Sequence, residues 1–331
     1  MRVVLAPDKW AGTLSAVQAA RAMRVGWARA APADTLVELP VSDGGPGFVD
    51  VLSTALGGRR VPATVSDPLG RPVPAAVLVD GATAYVESAA AAGLHLLAPP
   101  ERDPERTTSY GVGELLRVAL DAGARSIVVG LGGSATNDGG AGMLAALGLR
   151  VDGPWEEPAG VDAAGLDPRL AGVEVVAATD VDNPLLGPSG AAAVYGPQKG
   201  ADPAAVARLD LALRRWADAL EPAVGRRVRD LPGAGAAGGL GAGLFAFGAR
   251  PGAGVELVLR TVGMPDRLAA ADLVVTGEGA YDATSLRGKA VAGVARAAGE
   301  AGLPCLVLAG RVAVGRREAA AHGVQAAFGT V

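Results

Sequence analysis

Four segments gather residues able to do chemistry, each just past an apolar run. The longest is GLGGSATNDGGAGMLAALG, Gly130 to Gly148. A strand ending in Gly132, Gly133 and Ser134 that turns through Asn137 and Asp138 into an apolar helix offers N–H groups at a helix amino end. Such an end holds phosphate. The plainer alternative is a tight strand-to-helix turn, with Asn137 or Asp138 only capping the helix. The second segment, ATDVDNPLLG, spans Ala178 to Gly187. Along an extended chain Asp180 and Asp182 point the same way and suit a hard cation such as Mg2+, which takes one or two carboxylates plus phosphate oxygens. Otherwise they start turns before Pro184. Beyond it, in GAAAVYGPQKGA, Lys199 either neutralises phosphate charge or is an exposed lysine.

The third segment, VVTGEGAYDATSLRGKA, puts Glu278 and Asp282 in a glycine-bounded loop and opens a helix at Gly288-Lys289. No G-x-x-x-x-G-K-[ST] pattern is completed, which excludes an ordinary P-loop nucleotidase. The fourth lies at the amino end. APDKWAG follows the first apolar run and VSDGGPG follows TLVELPV, giving Asp8, Lys9 and Asp43 at two further strand ends. GAGAAG, Gly233 to Gly238, satisfies G-x-G-x-x-G, but RRVRDLP before it is no buried strand, so a dinucleotide site lacks its required context.

The positioning elements are those of an α/β chain. Runs of four to eight apolar residues (MRVVLAP, TLVELPV, AAVLVD, TAYVES, RSIVVGL, VEVVAAT, DLVVTGE, PCLVLAG) suit buried parallel strands. Segments with i, i+3, i+4 apolar spacing lie between them and predict helices over Leu14 to Ala31, capped by Thr13 or Ser15, and over Gly111 to Gly123, Ala204 to Leu220 and Lys289 to Ala301. Open sheets of this class bind ligands at the carboxyl ends of their strands. Two Pro/Gly-rich crossings, near Ser66 to Pro74 and near Ala249 to Gly254, are the candidate domain borders. They predict a discontinuous domain of residues 1–65 and 250–331 around an inserted domain of residues 66–249.

Composition narrows the chemistry. With 331 residues the chain can bury one large core or two smaller ones. Thirty basic against 34 acidic residues, with no basic run interleaved with aromatics, give no electrostatic basis for nucleic-acid binding. The most apolar charge-free stretch, Leu231 to Ala249, is too rich in glycine for a membrane span and reads as a small-residue loop or turn. No membrane partner is expected. An aspartate at position 8 is too early for a secretion signal, so a cytoplasmic chain is expected. The single cysteine, Cys305, sits in LPCLVLAG and predicts a buried strand thiol. Only His95 and His322 are present, neither beside a G-x-S-x-G turn, so histidine metal sites and Ser-His-Asp chemistry lack their parts. Carboxylates, lysines and backbone amides remain.

Taken together the motifs resemble the type I glycerate kinase family. The likeness runs through APDKW and GTLSA at Ala6 to Ala16, DGG at Asp43 to Gly45, ERDPERTTSYGVGELL at Glu101 to Leu116 and GGSATNDGGAGML. It continues through TDVDNPLLG with YGPQKGA, GAGAAGGLGAGL, and DLVVTGEGAYD with its GK. The resemblance implies two α/β domains with mainly parallel sheets, one flavodoxin-like (the inserted one) and one restriction-enzyme-like, with the active site in the cleft between them. It also implies transfer of the ATP γ-phosphoryl group to D-glycerate with Mg2+, giving 2-phosphoglycerate. Phosphoryl transfer asks for charge neutralisation, positioning and a carboxylate to take the hydroxyl proton. On this pattern Asp138 and Asp43 are the catalytic candidates, Asp8, Lys9 and Asn137 face the substrate, Gly132, Gly133, Ser134, Lys199, Glu278 and Asp282 face ATP, and Asp180 and Asp182 hold Mg2+. Which aspartate is the base stays open among Asp8, Asp43, Asp138 and Asp282, and oligomeric state is not decided. The chain departs from the pattern at Ala11, where the family has a lysine, at Pro46 and Phe48, where it has Glu and Thr, and in a shorter carboxyl end. These departures predict a less charged site edge, with action on another 2-hydroxy acid or ligand binding without catalysis as alternatives.

Overall fold

The computed structural model describes residues 1–286 and 288–330. The chain forms two compact units. The first comprises Met1–Asp43, Asp50–Gly57 and the residues from Ala253 onward, and the second Gly44–Val49 and Gly58–Gly252. Both are α/β with mainly parallel sheets.

The first unit is built on five strands, all parallel, in the order Ala326–Gly329, Cys305–Val312, Leu273–Tyr281, Arg2–Pro7, Thr35–Glu38. Chain order therefore reverses between Arg2–Pro7 and Leu273–Tyr281. That reversal opens a crevice at the carboxyl ends of these two strands. Val3, Leu5 and Val275 on the sheet are covered by Met23 and Trp27 of the helix Ala16–Ala30. Ser15 starts that helix with a reciprocal cap, its Oγ accepting from Gln18 N at 3.2 Å while Gln18 Oε1 accepts from Ser15 N at 2.9 Å. Cys305 is fully buried in its strand, and burial pushes its thiol up to about 12.

The second unit carries a six-stranded sheet in the order Arg250–Gly252, Glu174–Ala178, Ser126–Gly130, Thr83–Glu87, Pro72–Asp80, Arg59–Ser66. The first four strands are parallel, and Pro72–Asp80 runs antiparallel to both of its neighbours. A small antiparallel pair, Arg150–Asp152 with Gly160–Asp162, stands apart from it. Its core draws on Leu115 and Leu116 of the helix Tyr110–Asp121, Leu213 and Trp216 of the helix Pro203–Val224, and Ile127 and Val129 of the sheet.

Two expectations change here. The Pro/Gly stretch near Ser66 to Pro74 is a hairpin, because Ser66 pairs with Pro72 and Asp67 closes the turn. Asp67 Oδ1 accepts from Leu69 N at 2.8 Å and Arg71 N at 2.9 Å, an Asx-type turn that local sequence disguises as a linker. After the excursion Gly44–Val49, the chain leaves the first unit for the second time at Gly57 and returns at Ala253. Leu231 to Ala249 is not a loop throughout, since Ala236–Ala246 is helical and largely buried. Small side chains let its backbone approach closely, and a Cβ at Gly238 would stand 1.8 Å from Thr136 O. Among the described residues no helix is long and apolar enough to cross a membrane.

Candidate functional site

In the second unit the strand Ser126–Gly130 delivers Gly132 to Asp138 at its carboxyl end. The amino end of the helix that follows is met by a side chain of the protein itself. Asp138 is fully buried and accepts at Oδ2 from Ser109 N and Ser109 Oγ, both 2.8 Å, and from Gly142 N at 3.1 Å, and at Oδ1 from Gly140 N at 3.1 Å. The amides at the start of the short helix Ala141–Ala146 thus meet a side-chain carboxylate. Burial raises the Asp138 carboxyl above its usual range while these bonds pull the other way. Gly132 and Gly133 have a packing reason as well. A Cβ at Gly132 would lie 2.9 Å from Gly45 Cα, and one at Gly133 2.8 Å from Pro46 Cδ.

Lys199 arrives from a 3-10 turn, Pro197–Lys199, and is buried rather than an exposed lysine. Its Nζ donates to Ser134 Oγ at 2.9 Å and to Thr136 O at 2.6 Å. Burial pushes it down to about 7, against the pull of Asp138. Beside it Asn137 is fully buried with neither amide atom bonded, and Thr136 Oγ1 is likewise unbonded and enclosed. Buried polar groups left without partners cost about 1–3 kcal/mol each, so such groups mark places where a water or ligand completes the set.

Asp180 and Asp182 follow the strand Glu174–Ala178, Asp180 half-buried and Asp182 exposed. Asn183 next to them is fixed by Tyr195, whose hydroxyl donates to Asn183 Oδ1 at 2.6 Å. Burial, with Asp182 adding to it, pushes the Tyr195 phenol up. Among the described residues no group of three or more His, Cys, Asp or Glu is disposed to hold a metal by itself. Two carboxylates fit a Mg2+ whose shell is completed by phosphate oxygens and water.

The first unit gathers a different set. Asp8 continues the strand Arg2–Pro7 past Pro7, which pairs with Gly277, and Asp8 N donates to Gly277 O at 2.8 Å. Glu278 is therefore its cross-strand neighbour, and the glycine-bounded loop expected around Glu278 is strand as far as Tyr281. Lys9 Nζ lies 3.3 Å from Asp43 Oδ1 and 3.6 Å from Asp8 Oδ1. Asp8 is 5% exposed and Glu278 8%, with Glu278 Oε1 enclosed and unbonded. Burial pushes Asp8 up to about 7, helped by Asp43 and less by Glu278, and opposed by Lys9. Burial also raises Glu278. Asp282 is different. Its Oδ1 accepts from Thr284 N at 2.8 Å and Thr284 Oγ1 at 2.7 Å, which hold it below the usual carboxylate range.

Sequence reasoning missed Glu87, at the end of the strand Thr83–Glu87, whose Oε2 accepts from Gly47 N at 3.1 Å and Val49 N at 3.2 Å. It fastens the segment after Asp43 that packs on Gly132 and Gly133. A carboxylate ending an otherwise apolar strand run was the available signal. Phe48 is no site-edge residue. It is fully buried, over Gly130 and edge-on to Tyr85 with ring centroids 6.3 Å apart. The G-x-G-x-x-G glycines follow no strand, as the turn Gly233–Gly235 leads directly into the kinked helix from Ala236.

Against known proteins, residues 3–331 match the model of the glycerate kinase family. A glycerate kinase of Haemophilus influenzae is 43% identical over 342 residues, covering 99% of this chain and 90% of the relative. A glycerate 2-kinase of Escherichia coli is 41% identical with the same coverage. A solved structure named as a glycerate kinase 2, from Salmonella typhimurium LT2, superposes with a TM-score of 0.83 at 44% identity, over 99% of this chain and 90% of that one.

Proposed function

The chain belongs to the glycerate kinase family, and from that premise we propose that it transfers the γ-phosphoryl group of ATP to D-glycerate, giving 2-phosphoglycerate. The observation that carries the chemistry is the Asp8, Lys9, Asp43 and Glu278 group at the carboxyl ends of adjacent parallel strands, where chain order reverses. Such a group supplies carboxylates to orient and deprotonate a hydroxyl and a cation for the acid's own charge. In this reading Lys199 and Ser134, with Gly132 and Gly133, face phosphate oxygens, and Asn137, with both amide atoms unbonded, serves a polar substrate atom. Glu278 and Asp282 border the nucleotide. Asp180 and Asp182 would hold Mg2+, which when bound supplies neutralisation of the triphosphate charge.

The test is ADP release coupled to a reporter, with and without D-glycerate, followed by identification of the phosphorylated carbon by NMR. Glycerate-dependent ADP release with 2-phosphoglycerate as product supports the reading. Nucleotide binding without turnover on any hydroxy acid would reject it. Action on another 2-hydroxy acid is the second reading, favoured by Ala11. This exposed residue has its backbone N 3.4 Å from where a Cβ on Gly279 would stand, and the resemblance implies a lysine there.

A further inference from the structure

We propose that Asp8 is the general base of the transfer, the group that takes the proton of the acceptor hydroxyl; this rests on the kinase reading above. Four aspartates compete for the part, and their geometry separates them. Asp138 accepts four hydrogen bonds inside a fully buried helix-capping knot, so both of its oxygens are engaged. Asp282 is held by Thr284 within its own turn and is stabilised as the anion, a weak base. Asp43 Oδ1 accepts from Lys9 Nζ at 3.3 Å. Asp8 is more deeply buried than Asp43, its side chain 8% exposed against 27%. Its Oδ1 accepts from Lys9 N at 2.7 Å and faces Lys9 Nζ at 3.6 Å, while Oδ2 accepts no hydrogen bond among the described residues. The neighbouring carboxylate, Glu278, has its unbonded Oε1 enclosed by protein.

The surroundings of Asp8 set its basicity. Asp43 and Glu278 repel its negative charge and Lys9 attracts it, with Asp282 and Lys289 acting one step removed, on Glu278. The net effect, with burial, raises the carboxyl to about 7, where a base is strong enough to accept a proton and still partly ionised near neutral pH. In the step itself the hydroxyl oxygen forms a bond to the γ-phosphorus and its proton passes to Asp8 Oδ2. The bond between the γ-phosphorus and the β,γ-bridging oxygen breaks, and its electron pair leaves on ADP. Asp8 then returns the proton to solvent.

The experiment measures kcat and kcat/KM for D-glycerate from pH 5.5 to 9 in the full chain, in Asp8→Asn and in Asp43→Asn. The parent should rise through an acidic limb near pH 7. Asp8→Asn should lose roughly 10²- to 10⁴-fold in kcat with its KM for ATP nearly unchanged, and the limb should vanish. Asp43→Asn removes a like charge and releases Lys9 toward Asp8, so its residual activity should show the limb displaced to lower pH. That variant keeps the proposal falsifiable should Asp8→Asn misfold. A limb retained in Asp8→Asn, near-normal turnover in Asp8→Asn, or a limb unmoved in Asp43→Asn overturns the assignment of Asp8 alone. A parent chain that phosphorylates no hydroxy acid overturns the kinase reading, and this assignment with it.

Discussion

Lys199 donates from Nζ to Ser134 Oγ at 2.9 Å across 65 residues of chain, with both side chains buried. An ammonium there is desolvated, and among the described residues Asp138 offsets the loss through its charge. The fold therefore releases the Lys199 proton near pH 7, whereas the unfolded chain keeps it to about pH 10. Between those limits the unfolded state holds more protons, so this group makes stability rise with pH. Lys199→Met should remove that slope. The Tm of the parent relative to that of the variant is expected to rise from pH 6.5 to pH 9.5, as the parent gains and the variant does not. A constant difference across that range would mean that Lys199 stays charged in the fold, with a water or anion at its third proton.

Asp138→Asn tests the knot between two helix starts. The amide NH2 would face donors at Ser109 N or Gly142 N, where the carboxylate accepts. A buried donor set against donors costs about 2–4 kcal/mol. Thermal unfolding should show Tm several degrees lower, while the pH dependence of the remaining turnover keeps its shape. A large loss of kcat at full stability would instead make Asp138 the base.

The residue types of the candidate site were legible in the sequence, but their company was not. Asp8, Lys9 and Asp43 were visible only as three weak signals at two strand ends. What joins them to Glu278 is the pairing of Pro7 with Gly277, a contact between residues 270 apart that no local periodicity announces. Eight apolar runs predicted strands correctly from their composition, even where the strand is partly exposed, as at the sheet edge in Thr35–Glu38. Arg59–Ser66, with two arginines and a proline, and the three-residue Arg250–Gly252 escaped because neither carries an apolar run. Asp138 was read as open because capping and catalysis use the same residue type. The capping role shows in the bonds from Ser109, 29 residues earlier.

Phe48→Thr distinguishes core from site. Restoring the family pattern here would remove a ring that is fully buried over Gly130 and against Tyr85. Losing most of a buried aromatic costs about 3–5 kcal/mol, and the threonine hydroxyl would need a partner. Denaturant unfolding should show a midpoint shift of that size with kcat/KM ratios among hydroxy acids unchanged. An altered substrate ratio at unchanged stability would return position 48 to the site.

Ala11→Lys is the substitution that should alter preference. Ala11 is exposed in the turn after Trp10, beside Gly279, one residue beyond Glu278 in its strand. A surface change of this kind alters stability by under about 0.5 kcal/mol. A lysine there adds positive charge near Asp8, Asp43 and Glu278 and near the space for a carboxylate substrate. A charge-assisted hydrogen bond to that carboxylate is worth about 1–3 kcal/mol, or roughly five- to 150-fold in KM. The same charge favours the ionised form of Asp8, so the acidic limb of the pH profile should move down while KM for glycerate falls. The measurement is kcat/KM for glycerate, lactate and tartronate in parent and variant, each across pH. Movement of both quantities places the new ammonium at the acceptor site; a lower KM with an unmoved limb separates the carboxylate subsite from Asp8. Unchanged substrate ratios would show that position 11 does not face the substrate and would remove the reason for expecting a shifted specificity.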